Sequence, residues 1–182
     1  FGTNHLGHFL LTDELLEQVR ASDNGRIINV ASFGHSASVG GIQWADIGRH
    51  DHFPGWRVYG DSKLANILHA EALARRLEGS GVVANSLHPG SVSTNFGREG
   101  DTSGLTGKLM DLQLGPVRRT LLRTPTEGAE TSIHLATSPE AGRMSGVYWT
   151  NSRPSRTVPW SRRPGDSEEL WHNSRRLIAL VS

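Results

Sequence analysis

The alternation of short apolar runs with long helical patterns is what most restricts this chain. Arg26-Ile27-Ile28-Asn29-Val30-Ala31-Ser32 is a brief β-branched run, and Val82-Val83-Ala84-Asn85-Ser86-Leu87 is a second. Between them, over 58–78, Leu64, Ile67, Leu68, Ala72 and Leu77 recur at helical spacing, and Ala65, Ala70 and Ala74 broaden the apolar face. A run that is apolar throughout reads as a strand buried on both faces, and two such strands joined through a helix form a parallel sheet with helices packed over it. The pattern continues on either side. Leu11, Leu15, Leu16 and Val19 predict a helix over 3–20, closed by the turn Ser22-Asp23-Asn24-Gly25. Gly79 and Gly81 stop the central helix. Thr124-Pro125-Thr126-Glu127 is a capping box with proline at the first helical position, so a helix runs from Pro125 to Thr137. Ser145 to Thr150 reads as a third strand, and Leu170, Trp171, Leu177 and Ile178 mark a terminal helix from Ser167 to Leu180. The expected architecture is α/β, a doubly wound parallel sheet of three strands with flanking helices in a single domain, 1–182.

Composition narrows the function classes. A formal net charge of +1 gives no field to steer the chain toward nucleic acid or an anionic membrane. No apolar run has the length of a membrane span, so none is expected. Cysteine is absent, which removes disulfides and thiolate chemistry. The cytoplasm is the default expectation for location. The basic residues are almost all arginine, with lysine only at positions 63 and 108, so Lys63 stands out.

In open parallel sheets the chemistry lies at the carboxyl ends of the strands. That rule selects Ser32 with Phe33-Gly34, the segment from Pro89-Gly90 to Thr94, and the residues after Thr150. It also draws attention to Val58-Tyr59-Gly60-Asp61-Ser62-Lys63-Leu64-Ala65-Asn66. Tyr59 and Lys63 stand one helical turn apart on one face. An ammonium beside a phenol favours the phenolate, and a phenol tuned in this way exchanges protons near neutral pH. Taken alone the pair is as easily a solvated surface contact. Asn4 alone is a helix N-cap, and Ser32 alone a strand-end hydroxyl, since no G-x-S-x-G surrounds it to make a hydrolase nucleophile. His50-Asp51-His52, with His35 and Asp46, lacks a metal-ligand spacing, and no metal is expected. His88 reads as a pocket-wall residue. The tryptophans read as packing residues, and the arginines at 153, 156, 162, 163, 175 and 176 as solvated surface or a packed tail.

Together the segments resemble the short-chain dehydrogenase/reductase family. The resemblance rests on Asn4 in Thr3-Asn4-His5-Leu6-Gly7-His8-Phe9, Ser32 closing Ile28-Asn29-Val30-Ala31-Ser32, Tyr59 with Lys63, and Asn85-Ser86-Leu87-His88-Pro89-Gly90-Ser91-Val92-Ser93-Thr94, in the family's order and over most of the chain. Ser62-Lys63-Leu64-Ala65-Asn66 and Ser145-Gly146-Val147-Tyr148-Trp149 look like the branch that contains retinol dehydrogenases. The resemblance implies a Rossmann-type fold and an NAD(P)-dependent oxidoreductase, NADP ahead of NAD, that interconverts a lipophilic alcohol and its aldehyde or ketone. It implies Tyr59 as general acid/base and Ser32 as the hydroxyl that holds the substrate oxygen. Lys63 would depress the Tyr59 pKa and bind the nicotinamide ribose, and Asn4 would anchor a proton-relay water. Pro89, Gly90, Val92 and Thr94 would lie along the nicotinamide. It further implies a substrate lid over 91–123, a tail with a C-terminal helix over 151–182, and a homodimer or homotetramer built on the helices 3–20 and 58–78.

One departure matters. The family's Gly-rich phosphate turn, G-x-x-x-G-x-G after a first strand, is not found near the start of this sequence. The expectation is therefore the C-terminal, catalytic half of a longer enzyme. The alternative is a truncated remnant that folds or associates through protein contacts without binding nucleotide.

Overall fold

The computed structural model describes residues 1–47, 55–90, 123–161 and 163–180. The lid segment, with Val92 and Thr94, and the His50-Asp51-His52 group lie outside the described residues. The chain opens in a π-helical turn, Gly2–Leu6, that runs on into α1 (Gly7–Glu14) and α2 (Leu16–Arg20). The single helix expected over 3–20 is thus divided at Leu15, where φ −97 and ψ 1 leave the helical region. Then follow β1 (Arg26–Val30), a 3₁₀ turn at Phe33–Ala37, α3 (Gly55–Arg76) and β2 (Val83–His88). The second half holds α4 (Pro125–Thr137), β3 (Tyr148–Thr150), β4 (Arg153–Ser155) and α5 (Asp166–Ala179).

The sheet has four strands in the order β1-β2-β3-β4. β1 pairs with β2 in parallel, Arg26 opposite Val83 and Val30 opposite Leu87, and β2 pairs with β3 in parallel, Ser86 opposite Tyr148. β4 returns antiparallel to β3 and adds a strand to the three expected. The reason is the turn. Asn151 and Ser152 both take positive φ, 53 and 56, which is what a two-residue hairpin of matching twist requires. Thr131 Oγ1 on α4 accepts the Ser152 N–H at 3.1 Å and holds the turn down.

Helices cover both faces of the sheet. On one face, Leu73 of α3 and Leu77 just beyond its end pack on Ile27, Val82 and Ala84, and Ile67 packs on Ala31 and Tyr148. On the other, Leu135 of α4 and Ala141 pack on Leu87 and Trp149. The alternation Ile27, Asn29, Ala31 toward α3 and Ile28 toward α4 is the period of a strand buried twice. The outer side of α3 is covered as well: Leu64, Ala65 and Leu68 meet Ile42 and Leu170 of α5. Arg75 and Arg76 of α3 clamp Glu168 of α5, with the Arg76 Nη2 to Glu168 Oε2 contact at 2.6 Å, and the Arg76 guanidinium lies 4.1 Å over the Trp171 ring. The broad apolar face of α3 is therefore used inside this chain, and exposed Leu10, Leu11 and Leu15 lie on the first helical run.

Candidate active site

β1 ends at Val30, and the backbone turns through Ser32 into the 3₁₀ turn. Ser32 is the cap of that turn: its Oγ accepts the Gly34 N–H at 3.0 Å. Tyr59 crosses directly over it. A methyl group built on Gly34 would come within 2.6 Å of Tyr59 Cε1 and within 3.4 Å of Ser32 Oγ, so the phenol ring and the serine hydroxyl border the same spot and only glycine leaves room for the ring. α3 brings the other groups by its own periodicity. Trp56, three residues before Tyr59, stacks on its ring with centroids 5.6 Å apart and planes 14° apart. Lys63, four residues after it, places Nζ 5.7 Å from the Tyr59 ring centroid and donates to the Val30 carbonyl at 3.3 Å. Lys63 is half-buried, and burial lowers its pKa, since a partly dry ammonium is harder to keep charged.

Asn4 lies inside the π-helical turn rather than capping a helix. Its Nδ2 donates to Ser62 Oγ at 3.1 Å, and Ser62 Oγ in turn donates to the Tyr59 carbonyl at 2.7 Å, which links the N-terminal turn to the helix that carries the tyrosine. Pro89 and Gly90 leave the neighbouring strand at the same edge of the sheet. Gly90 takes φ +88, in the region that favours glycine, and Arg123 lies against it, with Cδ 2.7 Å from where a Cβ would stand. Arg123 is held there by donating to Asn151 Oδ1 at 2.6 Å. His88 is a wall residue: its Nδ1 accepts the Phe33 N–H at 3.3 Å, and burial lowers its pKa. The residues after Thr150, also at a strand end, are spent on the β3–β4 hairpin.

The fold thus brings Asn4, Ser32, Tyr59 and Lys63 to one edge of the parallel strands, with Pro89 and Gly90 beside them. A phenol with a cation on one side and a hydroxyl on the other can exchange a proton with an oxygen placed between phenol and hydroxyl. Among the described residues no group of His, Cys, Asp and Glu is arranged to hold a metal. No helix among them is long and apolar enough to cross a membrane.

The sequence reading left out the layer behind this edge. Asn66 is 6% exposed and His5 and His69 are buried, as is Ser174. Asn29 Nδ2 donates to the Asn66 carbonyl at 3.1 Å and to His69 Nδ1 at 3.3 Å. A signal was present: Ser62, Asn66 and His69 are polar residues set on the apolar face of a helical pattern, and residues 59, 63 and 66 follow one stripe.

Comparison with known proteins follows the same lines. Residues 1–103 match the family described as short chain dehydrogenase. The chain is 40% identical over 181 residues to retinol dehydrogenase 14 of Homo sapiens, covering 100% of this chain and 52% of that protein. It is 38% identical over 181 residues to retinol dehydrogenase 13 of Homo sapiens, covering 99% of this chain and 54% of that protein. A crystal structure of an uncharacterized protein from Mycobacterium paratuberculosis aligns with 98% of this chain and 57% of its own, with a TM-score of 0.55 at 26% identity. The chain spans about half the length of the curated relatives it matches.

Proposed function

Because the chain belongs to the short chain dehydrogenase family, we propose that it is the catalytic half of an NAD(P)-dependent oxidoreductase that interconverts a lipophilic alcohol and its aldehyde or ketone. The observation that carries this reading is the Tyr59 ring lying over Gly34 beside the Ser32 hydroxyl, with the Lys63 ammonium 5.7 Å from its centroid. Ser32 donates its hydroxyl hydrogen to the substrate oxygen and holds it against Tyr59. In oxidation the Tyr59 phenolate removes the alcohol proton; in reduction the phenol returns it. Lys63 sets its ammonium beside the phenol ring.

Lys63 suits the nicotinamide end of a dinucleotide as an ammonium for ribose hydroxyls, with Pro89-Gly90 beside it. The bound nicotinamide would supply the hydride acceptor or donor. The family's Gly-rich phosphate turn is not found near the start of this sequence. That same feature favours a second reading, a remnant that keeps the site without binding nucleotide. Tight binding of NADPH by the 182-residue chain, followed by nicotinamide fluorescence, would exclude the remnant. NADP is our preferred cofactor. We place a second copy of the chain, if the protein is a dimer, on the exposed leucines of α1 and its continuation, because the α3 face is already covered.

The test is a screen of the complete protein with NADPH and NADH against retinoid, steroid and aliphatic carbonyls, together with Tyr59→Phe. The variant should lose about 10²- to 10⁴-fold in kcat, the range for a deleted acid/base, while still binding the cofactor. Turnover near that of the unaltered protein would remove Tyr59 from this role.

A further inference from the structure

Behind Tyr59 and Lys63 lies a polar layer that the reaction as written does not use. Asn66 stands at its centre, on the stripe of α3 that carries Tyr59 and Lys63. Its Nδ2 donates to two main-chain carbonyls, Asn4 at 3.1 Å and Val30 at 3.2 Å. Carbonyls only accept, so this end of the amide is its nitrogen, and Oδ1 must accept in turn. Its partner is His5 Nδ1 at 3.3 Å. His5 therefore carries its proton on Nδ1, and its Nε2 accepts from Ser174 Oγ of α5 at 2.8 Å. The direction of the Asn66 amide is thus fixed by a buried chain of hydrogen bonds that starts on the C-terminal helix.

The Val30 carbonyl is where this layer meets the site, because it also receives Lys63 Nζ at 3.3 Å. A carbonyl that loses one of its donors draws the nearest cation more strongly. Resting on the oxidoreductase reading above, we infer that Asn66 is a positioning residue for Lys63: its amide takes the Asn4 carbonyl and shares the Val30 carbonyl, so the ammonium bonded to Val30 stays facing Tyr59 instead of being drawn on toward Asn4. The other titratable groups packed around the layer do not compete for this role. Burial lowers His5 to about 4 and His69 to about 3 and also lowers His88, while Asp61 is paired with Arg57 at 3.1 Å and His35 is bonded to the Ser32 carbonyl.

Asn66→Leu removes both donors at similar volume and tests the idea in the complete protein. We expect kcat to fall about 10- to 100-fold with little change in substrate KM, the usual scale for an outer residue that orients a reacting one. The acidic limb of the kcat–pH profile for oxidation should move to higher pH, because the phenol loses its cation. A second readout needs no turnover. In ¹³C-lysine-labelled protein the Lys63 Cε resonance, assigned by its loss in Lys63→Arg, should titrate at higher pH in the variant, as the ammonium settles against carbonyls that Asn66 no longer occupies. Should Asn66→Leu not fold, Ser174→Ala, which deletes one hydroxyl at the far end of the chain of bonds, is read in the same way with a smaller shift. An unshifted limb and an unshifted Lys63 titration in a folded variant overturn the inference, even if kcat falls, since a merely structural residue lowers amplitude alone. If the unaltered protein turns over no carbonyl while the Lys63 resonance still shifts in Asn66→Leu, the oxidoreductase reading fails and the positioning role stands.

Discussion

Gly34 shows how little space the site leaves at the level of single atoms. Its missing side chain is filled by the Tyr59 ring edge, with Cε1 at 2.6 Å and Cδ1 at 3.0 Å from an added Cβ. An added methyl would meet the ring carbons, so Gly34→Ala should displace the phenol and reduce kcat at least tenfold while costing about 1–3 kcal/mol of stability, as overpacking does. Steady-state kinetics and a urea melt on the same sample check both; unchanged kcat would show that the turn does not position Tyr59. At this scale the meeting of Asn4, Ser32, Tyr59 and Lys63 at one end of the strands followed from short local patterns, while their roles belong to the proposal. Asn66 and His5 were not, because their meaning lies in partners far along the chain: Asn4 and Val30 for one, Ser174 for the other. A polar residue on an apolar helix face signals that such a partner exists without saying which.

Elements were legible where periodicity or capping chemistry is strong. α4 begins at Pro125 and ends at Thr137 as the capping box predicts. Thr124 Oγ1 accepts the Glu127 N–H at 3.2 Å, and Glu127 accepts the Thr124 N–H at 2.7 Å. Thr124→Ala should cost about 1 kcal/mol, the scale of a lost N-cap, read as a lower urea midpoint with an unchanged slope. Element bounds set by tertiary contacts were less legible. α3 starts at Gly55, ahead of the apolar pattern, where Arg57 donates to the Val39 carbonyl at 2.7 Å and the Gly41 carbonyl at 2.6 Å. The break at Leu15 and the short strand β4 likewise carry no periodic signal; three residues that include a proline do not read as a strand.

For the whole molecule, the parallel order of β1, β2 and β3 followed from the alternation of runs, whereas the burial of α3 on both sides did not. One consequence of that burial is acid sensitivity. His5 and His69 have pKa values pushed from 6.5 to about 4 and about 3, chiefly by burial. Both values are lower in the folded state, so the unfolded chain takes up protons first. The stability these residues contribute is complete above about pH 6.5 and is lost as pH falls toward 4 and then 3. The unfolding free energy from urea melts should therefore decline from neutral pH toward about pH 4, by up to about 1.4 kcal/mol per pH unit for each histidine. His69→Gln should flatten that decline, and a slope equal to that of the unaltered protein would assign acid sensitivity to other groups.

Pro154 gives the sheet a direction of growth. It lies exposed in the outer strand, opposite Trp149, and offers no N–H to a further neighbour. Along β4 the ladder is closed to recruits, as edge strands with proline and arginine are. Among the described residues β1 has β2 as its sole strand neighbour, and on its other margin the Val30 carbonyl already accepts from Asn66 and Lys63. A strand laid alongside β4 would therefore find its ladder interrupted at Pro154.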